Sequence, residues 1–430
     1  MSGIDTGFEG VRRRYDTAVF ERRELDNGIP VWLQNPPILT NEQGVLQVFL
    51  MGIGGINDPK DAYGVAHFFE HIPLLGSKSK PSEELLLGPI KDLGATVRAF
   101  TSKFFTEYII TTPKDKLELA CETMIEILTE PLLDEKHVET EKGVILNEYK
   151  RFFSNGDNYK GVILPELVLG KEHPAAHHVL GTTESIQRMS QKNIQEFHQK
   201  HYHSGNYQII CGGAFSEDSK NFEVISKYFG KFQKRESTFE EPDFSVSVRK
   251  NGERHDIVDP RISRDSLHIM YSFEPQGHDW EPVLSSLAYV LSGEKHSPLM
   301  NELRHKRGWV YESGLCEGSV NYRLWSFAAT IPVDKDKFDE TENIFYDVLG
   351  NLDEKTIKQA QKRKQLSRKL AYEDPYGACV SARGEIIDYG KPMTWKEFEN
   401  KQDLLTIEEI FSWRDQLLNT KPLVVRISKN

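Results

Sequence analysis

The sequence predicts an α+β protein of two homologous domains, each a largely antiparallel sheet covered by helices. The first observation is a repeated order of elements in EYIITTPKDKLELACETMIEIL (107–128) and WSFAATIPVDKDKFDETENIFYDVL (325–349). Each of these segments reads as a strand, a proline, a Lys/Asp cluster and an amphipathic helix. The second observation is length, because 430 residues are too many for one ordinary hydrophobic core. Strands mixed with long helices in each half favour helices packed on one face of a sheet.

The elements that follow this repeated unit also correspond between the two halves. A second helix comes next in both, DEKHVETEKGVILNEYKRFF and DEKTIKQAQKRKQLSRKLAY, and each half then closes with a helix and a strand. We expect strands near 45–52, 106–112, 206–213 and 326–331. The polar stretch around Pro242 has little periodicity and predicts a linker at 231–254, which leaves domains at 1–230 and 255–430.

Composition and charge exclude several functions. With 38% hydrophobic and 28% charged residues the chain is typical of soluble globular proteins, and no apolar run approaches the length of a membrane span. The formal charge of −11 argues against nucleic acid as a partner. The N-terminus lacks a secretory or mitochondrial signal pattern. Four scattered cysteines predict reduced, buried thiols, so we expect a cytoplasmic protein without membrane partners.

The stretch GVAHFFEHIPLLGS at 64–77 places two histidines and a glutamate in an apolar run. Residues four apart on a helix share a face, so His67 and His71 point the same way, and Glu70 points with them. Two such imidazoles can hold one zinc ion at about 2.0–2.1 Å each. Glu70 can reach a water molecule on the ion, whose pKa falls to roughly 7, and take its proton. Ordinary core histidines are the alternative, with chance matches on the order of 0.04 per chain of this composition.

A catalytic zinc also needs a third protein ligand and an open position. The helix ETEKGVILNEYKRFF offers Glu141 and Glu148, which are seven residues apart and therefore share a face. Glu148 follows His71 after 76 intervening residues. Considered alone, Glu148 would more often be a solvated acid of its helix. Only its spacing from the histidines suggests a ligand.

His-x-x-Glu-His with a glutamate at this spacing resembles the motif of the inverzincin, or pitrilysin, family of zinc peptidases. The segments LDNGIPVWL, LGATVRAFTSKFFTEY and HPAAHHVLGTTESIQRMS are also similar to family segments. The resemblance implies that His67, His71 and Glu148 ligate one zinc ion per chain. It further implies that Glu70 is the general base and that Glu141 supports a ligand from outside the coordination sphere.

The second half carries no metal triplet at the corresponding place. SSLAYVLSGEKHSPLMNELRHKRGWVYES instead resembles the family's Leu-Arg…Gly-x-x-Tyr segment, and Arg304 and Tyr311 match its Arg/Tyr pair. The resemblance implies that this pair stabilises the charge that develops on the carbonyl oxygen. A helix-end arginine and a packed tyrosine are the alternative. His296 and His305 are expected to be structural or exposed.

The stretch TVRAFTSKFF reads as a strand that the family leaves at a sheet edge, where an extended peptide can add as a further strand. The resemblance assigns substrate binding to Arg98, Ala99, Phe100 and Thr101. Arg98 departs from the family, in which many members have asparagine. A cationic edge favours acidic or C-terminal groups whereas the net charge favours basic substrates, and the sequence leaves both open.

Two other histidine groups lack the helix-plus-carboxylate arrangement of a metal site, and we expect no functional metal there. They are His173, His177 and His178, and His198, His201 and His203.

The predicted function is a zinc-dependent endopeptidase that hydrolyses extended or unfolded peptides in a chamber between two domains or subunits. We expect a homodimer, or a heterodimer with a homologous subunit, because some relatives divide the half-sites between chains. Two alternatives remain. One is a dedicated leader- or precursor-processing peptidase, and the other is a non-catalytic assembly subunit of the same fold.

Overall fold

The computed structural model describes residues 19–35, 42–215, 218–240, 244–274, 281–321, 324–371, 374–393, 397 and 406–430. In this part of the chain the strands are β1 (Val19–Glu24), β2 (Pro30–Asn35), β3 (Gln43–Met51), β4 (Thr96–Thr101), β5 (Phe105–Pro113), β6 (Tyr207–Gly213), β7 (Arg254–Val258), β8 (Ser266–Phe273), β9 (Cys316–Asn321), β10 (Leu324–Ile331) and β11 (Leu423–Ser428). The strands predicted in both halves are therefore present.

The helices of the same residues are α1 (Val65–His71), α2 (Glu83–Lys91), α3 (Leu117–Thr129), α4 (Glu135–Ser154), α5 (Lys160–Leu169), α6 (Thr183–Arg188), α7 (Gln191–His201), α8 (Asp218–Phe229), α9 (Ser245–Val248), α10 (Glu281–Ser292), α11 (Pro298–Met300), α12 (Phe338–Gly350), α13 (Glu354–Ala371), α14 (Pro375–Tyr389) and α15 (Ile407–Asn419). A π-helical turn at Asn301–Lys306 continues α11. Each of these helices lacks the combination of length and apolar character needed to cross a membrane.

The first sheet has the strand order β1-β2-β6-β3-β5-β4. Neighbouring strands are antiparallel except β2 and β6, which run parallel. Strand β4 lies at one end of the sheet and, within the described chain, pairs with β5 alone. The sequence prediction of a sheet edge at this strand is confirmed.

The second sheet has the strand order β7-β11-β8-β10-β9, with β7 and β11 parallel and the other neighbours antiparallel. Strand for strand it repeats β2, β6, β3, β5 and β4 of the first sheet. The predicted fold class of two similar α+β domains, each with a largely antiparallel sheet and helices, is confirmed.

Both faces of the first sheet are covered, whereas the sequence predicted helices on one face only. Leu46, Val48 and Leu50 of β3 join the core beneath α1, α3, α7 and α8. Val45 and Phe49, on the opposite face, pack against α14. The run VLQVFLM is buried almost throughout, as is typical of a strand enclosed between two layers. The one-face prediction was therefore wrong.

The second sheet is enclosed in the same way. Leu267 and Ile269 of β8 share a core with α10, α12 and α15. On the other face, Val425 and Ile427 of β11 pack against Ile163 and other apolar residues of α5. The two covering helices are exchanged between the halves of the sequence, because α14 covers the first sheet and α5 covers the second.

The described residues pack into two compact units. Unit 1 takes the described residues of Met1–Arg151, Glu172–Glu241 and Lys369–Lys396, and unit 2 takes those of Phe152–Lys171, Pro242–Arg368 and Glu397–Asn430. Neither unit is one continuous stretch of sequence. Helix α5 lies in the first half of the sequence but belongs to unit 2, and α14 lies in the second half but belongs to unit 1. The domain boundaries at 1–230 and 255–430 stay a prediction.

The predicted linker at 231–254 is irregular over 231–240, and residues 241–243 lie outside the described chain. Its first part is held to unit 1, because the Thr238 amide and the Ser237 hydroxyl both donate to the Asn206 side-chain oxygen at 2.9 Å. All four cysteines are buried and none is in a disulfide, as the sequence predicts.

Candidate metal centre

The candidate metal helix, α1, begins at Gly64 and is fixed there by tertiary contacts. Gly64 has φ +90°, and a Cβ atom at this position would lie 2.9 Å from the Leu180 carbonyl oxygen, so a larger residue would be strained. The Asp58 carboxylate accepts hydrogen bonds from the Gly64 amide at 2.6 Å and the Ala66 amide at 2.9 Å. These contacts satisfy amides that a helix start leaves without intrahelical partners.

Three predicted ligands converge in unit 1. His67 and His71, one turn apart on α1, have ring centroids 4.7 Å apart. Glu148 Oε2, from α4, lies 3.8 Å from His67 Nε2 and 3.6 Å from His71 Nε2. Among the described residues this is the one group of three or more His, Cys, Asp or Glu side chains whose ligand atoms lie close enough, within 4.8 Å of one another, to hold a metal ion.

The donor set fits a zinc ion. Ligand atoms about 2.1 Å from a tetrahedral ion lie roughly 3.4 Å apart. The separations to the Glu148 oxygen are near this value and too long for hydrogen bonds. Two imidazoles and one glutamate also form the ligand set of known catalytic zinc sites. The His71 and Glu148 side chains keep 22% and 30% exposure, so one side of the centre is open.

Glu141 contacts the ring nitrogen of His71 that is not directed toward Glu148. Its Oε1 atom lies 2.8 Å from His71 Nδ1, which leaves Nε2 directed toward Glu148. Burial opposes protonation of His71, but the Glu141 hydrogen bond and nearby carboxylates raise its pKa overall. Glu141 itself is 4% exposed. A carboxylate in this position fixes the tautomer and orientation of a histidine ligand.

His67 is held in its neutral form. Burial, followed by the influence of His71 and His178, lowers the pKa of His67 to about 3. Metal ions bind neutral imidazole, so His67 needs no deprotonation at neutral pH. Its Nδ1 atom is buried and has no hydrogen-bond partner in the described chain.

Glu70 lies on α1 beside the two histidines and is 9% exposed. Burial raises the pKa of its carboxyl group, while the Thr101 hydroxyl and His71 act in the opposite direction. A carboxylate with a raised pKa close to a metal centre is suited to proton transfer near neutral pH.

The predicted substrate strand, β4, alternates between two faces. Val97 and Ala99 pack against the core that includes α1, and Thr101 is buried close to Glu70. Arg98 and Phe100 point to the opposite face, and Phe100 is 52% exposed. The four predicted substrate residues therefore divide between an inward and an outward set, because successive strand residues alternate.

Arg304 and Tyr311 both lie in unit 2 and contact each other. The Arg304 guanidinium lies 4.7 Å from the Tyr311 ring centroid and donates to the Tyr311 carbonyl oxygen. Tyr311 is 72% exposed, so the alternative of a packed tyrosine is wrong. Gly308 and Gly314, on either side, have φ +68° and +80°. His296 and His305 are exposed and stack at 5.1 Å.

Other histidines have structural contacts. The His173 side chain accepts from the Ala175 amide, and His177 stacks on Tyr63 at 3.7 Å. His198 Nε2 lies 2.8 Å from the Leu128 carbonyl oxygen. His203 Nε2 lies 3.0 Å from the Lys200 carbonyl oxygen, and His201 Nδ1 lies 3.0 Å from the Thr238 hydroxyl.

Sequence reasoning missed a set of residues that connects β4 to the metal helix. In the β4–β5 turn, the carbonyl oxygens of Ser102 and Lys103 accept hydrogen bonds from the Gly55 and Ile56 amides at 3.0 and 2.9 Å. Asp58, which caps α1, follows two residues later. Burial raises the pKa of Asp58 to about 8, although the two amide donors oppose this. The sequence does contain the pattern Asp-x5-Gly before the motif. This pattern alone does not indicate a helix cap, because the Asp58–Gly64 hydrogen bond forms only in the folded turn.

Known proteins resemble the chain over most of its length. A family model described as insulinase, peptidase family M16, matches residues 41–167, and one described as the peptidase M16 inactive domain matches 188–365. The second match runs from the end of the first half into the second half, which carries no metal triplet. Together the two models span well over half of the chain.

Relatives and solved structures agree with these models. Protease 3 of Escherichia coli (strain K12) is 23% identical over 331 residues, which are 74% of this chain and 33% of that protein. The chain thus spans about a third of the length of Protease 3. An uncharacterized zinc protease of Mycobacterium leprae (strain TN) is 24% identical over 411 residues, 93% of this chain and 89% of that protein.

The crystal structure of a protease from Helicobacter pylori matches with a TM-score of 0.81 at 17% identity, and the match covers 96% of this chain and 100% of that one. This likeness shows the fold. The two family models extend the likeness to sequence, and the relatives they agree with include zinc proteases. The chain is therefore a member of peptidase family M16, the insulinase or pitrilysin family.

Proposed function

We propose that the protein is a zinc-dependent endopeptidase that hydrolyses extended or unfolded peptides, with one zinc ion per chain. The observation that carries this proposal is the convergence of His67 Nε2, His71 Nε2 and Glu148 Oε2 beside the buried carboxyl group of Glu70. A non-catalytic subunit would have no use for a complete ligand set together with a buried base.

His67, His71 and Glu148 would hold the ion, and Glu141 would keep His71 Nε2 directed toward it. When bound, the zinc ion supplies Lewis-acid chemistry that activates water near neutral pH and polarises a carbonyl group. Glu70 accepts a proton from the attacking water and delivers it to the departing amine nitrogen. Its raised pKa suits both transfers.

The edge of β4 is the proposed place for substrate. An unpaired strand edge presents a row of backbone donors and acceptors to an extended peptide. Strand β4 packs against α1 and ends at the buried Thr101, so a peptide added along β4 would pass next to the helix that carries Glu70. Main-chain pairing of this kind favours unfolded segments over folded ones.

Arg304 and Tyr311 are proposed to donate hydrogen bonds to the oxyanion, from the same chain or from a partner chain. Donors placed at the developing charge stabilise the transition state more than the substrate. Dimer formation and a cytoplasmic location remain predictions from the sequence.

The direct test is Glu70→Gln, assayed on unstructured peptides. The amide keeps the shape of the side chain but cannot accept the proton, so we expect kcat to fall by about 10²–10⁴-fold. Zinc content should stay at one ion per chain. Glu130→Gln, at an exposed position beyond α3, is the matched control and should leave kcat unchanged. Equal cleavage by wild type and Glu70→Gln would disprove the mechanism.

A further inference from the structure

We propose that Arg98 selects peptides with an acidic side chain about three residues from the cleaved bond. This inference rests on the proposed peptidase function and specifies which substrate side chain is recognised at the edge strand β4. It gives Arg98 a specificity role at the position where the sequence departs from the family pattern.

Arg98 is exposed on β4. Its guanidinium carbon lies 4.8 Å from the centroid of the Tyr376 ring, on the outer face of β4. Within the described chain it forms no ion pair. The acid nearest in register, Glu107 of β5, is buried and accepts from Arg383 at 2.8 Å and from Gln47 at 2.5 Å. Glu107 is thus already neutralised by another arginine.

The Tyr376 ring also orients the guanidinium. Stacking of arginine on an aromatic face is attractive and leaves the edges of the fork free to donate. A carboxylate can accept two parallel hydrogen bonds from such a fork, which a point charge like lysine does not offer. A side chain that is already ordered also loses less conformational freedom when it binds a partner.

The strand register sets the position of the recognised residue. Arg98 precedes Thr101 by three positions, so the two side chains lie on opposite faces of β4. In a peptide paired with β4, the residue opposite Thr101 lies on the face of the sheet that packs against α1 and Glu70, and the residue three positions away lies on the face of Arg98. An acidic side chain at this second residue would meet the guanidinium, whereas a basic one would be repelled.

The experiment uses one cleaved peptide and a series in which each position within four residues of the mapped bond is Asp, Asn or Lys in turn. For wild type we expect Asp over Asn to raise kcat/KM by about tenfold at one position, as a charge-assisted hydrogen bond would give. Arg98→Asn should remove this preference, and Arg98→Glu should shift it to Lys. Arg22→Asn, on β1 at the opposite end of the same sheet, is the control and should keep the wild-type profile.

Binding of the same peptides to Glu70→Gln provides a second readout that needs no catalysis. An Asp preference that survives in Arg98→Asn, or cleavage with no charge preference at any position, would overturn the role of Arg98. Absence of cleavage by wild type together with Arg98-dependent binding would instead overturn the peptidase proposal and leave the acidic selectivity in place.

Discussion

At the scale of single residues, the buried Glu141 carboxylate orients one of the candidate metal ligands. Glu141 Oε1 and His71 Nδ1 are 2.8 Å apart, and this contact decides which ring nitrogen of His71 faces Glu148. The candidate ligands on α1, His67 and His71, are spaced by one helical turn, but spacing alone leaves each imidazole free to rotate. The contact of the buried Glu141 carboxylate, on α4, with His71 Nδ1 fixes the orientation of the His71 ring.

Glu141→Gln should therefore weaken zinc binding while the fold persists. The amide can still contact His71 but no longer carries the charge that makes the imidazole a better ligand, and the expected loss of zinc affinity is about 10–100-fold. Competition with a chromophoric chelator measures it. Glu139→Gln, exposed on the same helix, is the matched control. Unchanged affinity in Glu141→Gln would show that His71 is oriented by other contacts.

Sequence alone identified the residues that act through spacing. The grouping of His67, His71 and Glu148 follows from helical periodicity and a family motif, and the structure brings these three side chains together. Asp58 could not be found in this way, because it acts through two amides that only the folded turn presents. Contacts between residues far apart in sequence leave little trace in local pattern.

At the scale of elements, the metal helix is unusually short. Helix α1 has seven residues, and a helix of this length is not stable by itself. Its start is held by Asp58, and its apolar side chains Phe68 and Phe69 are fully buried. The position of both histidines therefore depends on packing and capping more than on helix propensity.

Asp58→Ala should loosen α1. Loss of a helix cap costs about 0.5–2 kcal/mol, and the two amides would lose their acceptor in a buried place. We expect faster hydrogen exchange across 64–71 and weaker zinc binding. Asp58→Asn keeps an acceptor oxygen, so its hydrogen exchange and zinc binding should lie between those of wild type and Asp58→Ala. The exposed Asp61→Ala serves as control, and equal exchange in all four proteins would contradict the capping role.

Strand β8 carries a buried histidine, His268, from which we expect the stability of unit 2 to depend on pH. His268 is 1% exposed and contacts the hydroxyls of Ser266 and Thr330 at 2.9 and 3.2 Å. Burial lowers its pKa to about 3, whereas in the unfolded chain the pKa is about 6.5. The unfolded state binds more protons below about pH 6.5, so the free energy of unfolding falls as the pH drops from there toward 3, by up to about 1.4 kcal/mol per unit.

Hydrogen exchange in peptides covering 266–273, corrected for intrinsic rates between pH 4.5 and 7, measures this dependence. His268→Gln should flatten the slope, while the exposed His296→Gln should leave it as in wild type. A slope that His268→Gln does not change would assign the acid sensitivity to other groups.

The strands near 45–52, 106–112, 206–213 and 326–331 were predictable because their apolar runs are short and bounded by turns, whereas β7 and β8 were not predicted. The helices that cover the outer faces of the two sheets, α14 and α5, could not be predicted in this way. Helix α14 is distant in sequence from the sheet whose outer face it buries, and nothing in its local pattern specifies Val45 or Phe49 as partners. The doubly buried run of β3 was the signal that a second layer exists, although it does not identify the helix that supplies it.

At the scale of the whole molecule, one chain carries both halves of the proposed chemistry. The ligands and Glu70 belong to unit 1, and Arg304 and Tyr311 belong to unit 2. We therefore expect the purified chain to cleave peptides without a heterologous subunit. Activity that appears only after a homologous protein is added would contradict this.

Mixing two inactive variants would then show which chain supplies the donors. Tyr311→Phe removes one proposed oxyanion donor and should lower kcat by about 10²–10³-fold. Recovery of activity in a mixture of Glu70→Gln and Tyr311→Phe would place the donors of one chain at the base of another. A mixture no more active than its components would place both in the same chain.

The exchange of α5 and α14 has a consequence for biosynthesis. Translation is directional, so the residues of α14 (Pro375–Tyr389), which pack on the outer face of the first sheet, are synthesised after every strand of that sheet. Until α14 is made, Trp32, Phe49 and Ile210 on that face lack the contacts that this helix supplies, and exposed apolar side chains favour aggregation or chaperone binding. A chain truncated before Pro375 would therefore leave the outer face of its first sheet without the layer that α14 provides.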